Sequence, residues 1–186
     1  MLKTGDIILF KGNGLFSTLI MAPLEANYSH VGIYVRHDGK PCVFESTSLG
    51  CLPDIITGEK INGVQLTPFD ERVELYDGEV FHRPIIGVRT LTQHTALRNF
   101  IVEHHGKPYE RSNWELANAE IDGIFPWHEN KPDASSLFCS ETTCMALRAM
   151  NIMQITDEPA NEYTPTNFAE DFKLCEGYNF GSIKAL

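Results

Sequence analysis

Cys139 lies in the segment Ser135-Ser136-Leu137-Phe138-Cys139-Ser140-Glu141, at what reads as the first turn of a helix. Unpaired backbone N–H groups and the helix dipole favour an anion there and depress a thiol pKa. The same donors can hold the oxyanion formed when a thiolate attacks a carbonyl. Taken alone, such a cysteine is more commonly a small buried residue than a nucleophile. His30 changes the weighing. It opens an alternating segment in which Val31, Ile33 and Val35 share one face and His30, Gly32 and Tyr34 the other. Gly32 beside it reads as open space for a substrate or a partner helix. An imidazole so placed can act as a general base near neutral pH; its ordinary alternative is a half-buried ring satisfied by a backbone carbonyl.

Glu45 supplies a third group. The turn His37-Asp38-Gly39-Lys40 folds Val43-Phe44-Glu45-Ser46 back along the His30 strand, because Asp-Gly suits the positive-φ positions of a tight hairpin. Glu45 then falls near His30, where a carboxylate can orient the ring through its second nitrogen and stabilise the imidazolium. The alternative is a charge at a sheet edge. Together the three predict a catalytic set with Cys139 as nucleophile, His30 as base and Glu45 as the orienting acid.

The elements that must carry these residues divide by halves. The first half predicts strands at Asp6–Phe10, His30–Arg36, Val43–Ser46, Val64–Thr67 and Glu79–Arg83, with a short helix from Asn13 to Pro23. The second half predicts a helix over Leu91–His105 capped by Thr90 or Thr92, a Ser112/Glu115 capping box, and a loop over Gly123–Ser136. A helix over Cys139–Met150, a short one opened by Thr164-Pro165, and a last strand within Tyr178–Lys184 follow. No repeat or linker interrupts the chain, so residues 1–186 read as a single α+β domain, with a helical and loop region at about 85–136 that no motif anchors.

Composition bounds the partners. Of 186 residues, 42% are hydrophobic and 22% charged, which is ordinary for a globular protein. The net charge of −10 repels phosphate backbones and anionic lipid surfaces, so nucleic acid is not an expected partner. The longest apolar stretch, Leu15 to Leu24, is broken by Ser17, Thr18 and Pro23 and is too short for a membrane span. No signal peptide is legible, and five scattered cysteines suit a reducing compartment, which together predict a cytoplasmic protein. His104-His105 are adjacent and face apart, Cys139 and Cys144 lack metal spacing, and the glycines near Asn13 lack a phosphate-loop ending. No metal or cofactor is therefore expected. Trp114, Phe125 and Trp127 suit either a substrate cleft or core packing.

Four segments carry a family likeness: Gly5-Asp6-Ile7-Ile8, Ser29-His30-Val31-Gly32-Ile33-Tyr34, Val43-Phe44-Glu45-Ser46 and Phe138-Cys139-Ser140-Glu141. In their order they resemble the permuted NlpC-type papain-like cysteine hydrolases, relatives of the lecithin:retinol acyltransferases and of bacterial cell-wall amidases. Thr164-Pro165-Thr166-Asn167-Phe168 resembles the threonine-proline segment after the cysteine helix in that group. The likeness covers roughly residues 5–46 and 138–170. Phe138 departs from it where a tyrosine is common, which removes a hydroxyl contact. The resemblance implies a circularly permuted papain-like fold, with a small antiparallel sheet or partly open barrel and the cysteine helix packed on it. It implies a thiol hydrolase (peptidase, amidase or esterase) working through an acyl-enzyme on a small acyl, peptide or lipid substrate. An acyltransferase, or a catalytically silent binding module, is the alternative.

Overall fold

The structure is a computed structural model that describes residues 1–12, 28–109 and 138–186. In chain order the strands are β1 (Ile7–Gly12), β2 (His30–His37), β3 (Lys40–Thr47) and β4 (Gly63–Pro68), then helix α1 (Phe69–Glu74). There follow β5 (Gly78–Arg83), β6 (Ile85–Ile86), α2 (Leu91–His104), α3 (Cys139–Ala149), β7 (Asn179–Phe180) and β8 (Lys184–Ala185). Six strands make one antiparallel sheet in the order β4-β3-β2-β1-β5-β8, and β6 pairs with β7 apart from it. The architecture is α+β with a mainly antiparallel sheet and few helices. Among the described residues, no helix is long and apolar enough to cross a membrane.

The sheet is covered on both faces, which explains why β1 reads as an unbroken apolar run rather than an alternation. One face carries Ile7, Leu9, Val31, Ile33, Phe44 and Leu66, packed with Leu97, Phe100 and Ile101 of α2 and Leu147 of α3. The other carries Ile8, Phe10, Tyr34 and Val43, packed with Phe69, which opens α1. The β2–β3 hairpin turns at Asp38 (φ 49°) and Gly39 (φ 78°), the two left-handed positions that Asp-Gly suits. It pairs Ile33 with Phe44 and His37 with Lys40.

Helix α2 is capped by Thr90: its hydroxyl accepts from the Gln93 backbone N–H, and the Gln93 side chain accepts in return from the Thr90 N–H. Thr164-Pro165 opens a 3-10 helix, Pro165–Ala169, with the same reciprocal cap from Asn167. Two expectations change. The last strand is not one element: Asn179–Phe180 pairs with β6 and Lys184–Ala185 with β5, the chain leaving one partner for the other beyond Gly181. Helix α1 is additional, a six-residue turn after Pro68 with Asp70 and Glu71 in its first turn and no side-chain cap. The expected Asn13–Pro23 helix, the Ser112/Glu115 capping box, the Gly123–Ser136 loop and Trp114, Phe125 and Trp127 lie outside the described residues.

Candidate functional site

Cys139 is the first residue of α3 and is 6% exposed. Phe138 precedes it in extended conformation, its carbonyl accepting the first helical bond from Thr142 N–H at 2.9 Å, and its ring meets Tyr109 edge-on. The sulfur receives backbone hydrogen bonds from Val31 and Ser140. These are groups of the helix start and the β2 start, the donors that an anion at this position needs.

His30 is the first residue of β2 and stands on the face of Gly32 and Tyr34, whereas α3 packs on the face of Val31 and Ile33. Thiol and ring nevertheless share a hydrogen bond, made at the end of the strand. The His30 ring packs against Phe10 with centroids 5.2 Å apart. Its Nε2 lies 2.5 Å from Glu45 Oε2.

Glu45 is fully buried in β3, an interior strand between β2 and β4, and not at a sheet edge. Besides His30 it accepts from Thr67 Oγ1 (3.0 Å), Arg72 Nε (2.7 Å) and an Arg72 Nη (3.1 Å). Gly32 corrects another expectation. A Cβ there would lie 2.8 Å from Val43 Cγ1, 2.9 Å from the Phe44 carbonyl oxygen and 3.2 Å from Glu45 Cβ. The glycine is not open space for a ligand; it lets β3 and its carboxylate approach the His30 strand.

The electrostatics follow from these contacts. Burial would push the Cys139 thiol up, but the charge of His30, its hydrogen bond and the two backbone donors outweigh it and the thiol is depressed. Burial would likewise lower His30, but the Cys139 sulfur and then Glu45 raise it to about 9. Glu45 opposes its own burial through Arg72 first and His30 second, and is held well below the usual carboxylate range. All three directions favour the charged forms: a thiolate beside an imidazolium, backed by a carboxylate. Cys42 and Cys144 go the other way: burial raises both, Cys144 to about 12.

Sequence reasoning missed Arg72, Thr67, Tyr76 and Ser29. The Arg72 guanidinium lies over the rings of Phe10 (4.4 Å) and Tyr76 (5.3 Å), and Tyr76 Oη is 3.1 Å from Ser29 Oγ. The available signal was Thr67-Pro68-Phe69-Asp70-Glu71-Arg72, a strand end running into an acidic first helical turn. Among the described residues no group of three or more His, Cys, Asp or Glu is arranged to hold a metal ion.

No protein-family model matches this chain, and no curated protein sequence does. The chain is similar in structure to the crystal structure of metalloprotein yiiX from Escherichia coli O157:H7, DUF1105, at TM-score 0.55 and 24% identity. The match covers 79% of this chain and 65% of that one, so this chain spans a little under two thirds of that protein's length. The likeness is one of fold.

Proposed function

We propose that this chain is a thiol hydrolase of the permuted, NlpC-type papain-like kind, cleaving an amide or ester through an acyl-enzyme on Cys139. The observation that carries the reading is the contact of the Cys139 thiol with a histidine whose Nε2 is held 2.5 Å from a buried carboxylate. An inert core cysteine has no use for such a partner, and the buried Cys144 has its thiol raised instead.

In the proposed sequence the Cys139 thiolate attacks the substrate carbonyl, forming the carbon–sulfur bond and an oxyanion that faces the N–H groups at the start of α3. His30 gives its proton to the leaving amine or alcohol as the carbonyl–heteroatom bond breaks. Water then attacks the thioester while His30 takes its proton; the acid departs and the thiolate returns. An alcohol or amine in place of water would make the same site an acyltransferase. The metalloprotein description of the structural neighbour does not fit the described residues. They offer no ligand cluster, and both Glu45 oxygens are already engaged.

The test is turnover of fluorogenic esters and amides, with intact-mass detection of an acyl adduct on Cys139. Cys139→Ala should abolish both turnover and adduct. His30→Ala should lose nearly as much, since nucleophile and base act as one unit. Equal turnover by wild type and Cys139→Ala would sink the proposal. Equal ligand binding by both, with turnover by neither, would replace it with a binding module.

A further inference from the structure

Arg72 contributes both donors of its fork to a single carboxylate. Its Nε meets Glu45 Oε1 at 2.7 Å and an Nη meets Oε2 at 3.1 Å, and Oε2 is the oxygen facing His30. Its plane is fixed independently by the rings of Phe10 and Tyr76, and the Phe10 ring also packs on His30. A guanidinium serving only to tie α1 to the sheet would have no need to meet the one carboxylate that holds the histidine. We infer that Arg72 is a positioning residue of the thiol site, whose two-point hold on Glu45 fixes the carboxylate that aims His30 at Cys139 and sustains its charge. This rests on the thiol chemistry proposed above.

The charge count explains the need. Arg72, Glu45, His30 and Cys139 alternate plus, minus, plus, minus along one line of contacts, so the buried set is neutral while His30 and Cys139 are both ionised. Without Arg72 the same set carries a net negative charge out of water, and protonating the thiolate is one way to relieve it. Among the described residues, the other titratable groups around the line are Tyr76 and Asp77 after α1, Cys51 after β3 and Glu141 in the first turn of α3. Burial raises Tyr76, which stays a neutral phenol at physiological pH.

The experiment is iodoacetamide alkylation of Cys139, followed by peptide mass mapping between about pH 4 and 9, on wild type, Arg72→Met and Arg72→Lys. Circular dichroism and thermal unfolding would confirm that each variant is folded. Wild type should alkylate at acid pH, where an ordinary thiol does not. Arg72→Met should move the midpoint up by about one pH unit or more, roughly a tenfold loss of rate at pH 6. Arg72→Lys keeps the charge but not the fork, and should fall between. Should Arg72→Met fail to fold, Arg72→Lys decides alone. A folded variant whose profile superimposes on wild type overturns the inference while leaving the thiol reading standing. An ordinary thiol profile in wild type itself overturns both.

Discussion

Glu45 carries its charge without contact with water, and a carboxylate so placed survives on its partners alone. Those partners are His30, Thr67 and Arg72, so replacing Glu45 affects stability and chemistry together. Glu45→Gln should cost about 3 kcal/mol by urea unfolding, the low end for a broken buried ion pair because Arg72 keeps some solvent contact. The pH dependence has a definite sign. The folded-state pKa of Glu45 lies below its ordinary value of 4.5, so its contribution is fully present above that value and is lost as pH falls below it. The acid limb of stability against pH should therefore be shallower in Glu45→Gln than in wild type; identical limbs would show that the charge is stabilised elsewhere. Turnover should fall by less than in His30→Ala, because the amide still holds the ring but no longer stabilises its positive charge.

The β2–β3 hairpin shows how an element sets a distance between side chains. Gly32 lies where β3 crowds against β2, and a methyl there meets the Phe44 carbonyl oxygen, a backbone atom that cannot swing aside. Gly32→Ala should cost about 1–3 kcal/mol in urea unfolding, the range for overpacking a filled site. It should also slow Cys139 alkylation, because Glu45 moves away from His30. A variant with wild-type stability and reactivity would show that the close approach is not required. The hairpin was legible because Asp38-Gly39 admits few turns and the alternation about His30 separates its two faces. What was not legible was how far the returning strand lies from the first, so Gly32 read as a vacancy. Helix α1 escaped for a related reason: six residues without a side-chain cap give too little periodicity to read, and Arg72 was hidden with it. Cys139 was legible because a helix start can be found from local pattern alone. That its thiol would reach a ring on the opposite face of the sheet depends on where α3 docks, which no local pattern carries.

A second buried charge centre holds the molecule together away from the thiol. Asp6, at the end of the turn that enters β1, accepts from the Lys3 and Ile85 backbone N–H groups, approaches His82 Nε2 at 2.8 Å and takes an Arg89 Nη at 2.9 Å. It thereby ties β1 to β5, β6 and the approach to α2. Gly5 before it has φ 89°, and a Cβ there would press on Met150 at the end of α3, so this turn needs both residues of the Gly5-Asp6 pair. Asp6→Ala leaves Arg89 charged and buried, and should destabilise by about 3–5 kcal/mol. The folded variant should keep the wild-type alkylation profile of Cys139. A displaced profile would mean that the two charge centres are coupled through the sheet.

The meeting of Cys139 and His30 at the end of β2 also bears on how the chain acquires its reactivity. The thiol arrives with α3, while the ring, Glu45 and Arg72 belong to the hairpin and α1 on the other face. Residues 30 and 139 are far apart in sequence, so their contact carries a large loop-closure cost and forms only when α3 docks. Before docking, residue 139 is an ordinary thiol, protonated at neutral pH. A chain in which α3 has not docked thus lacks the thiol–imidazole contact, and alkylation of Cys139 reports on that docking.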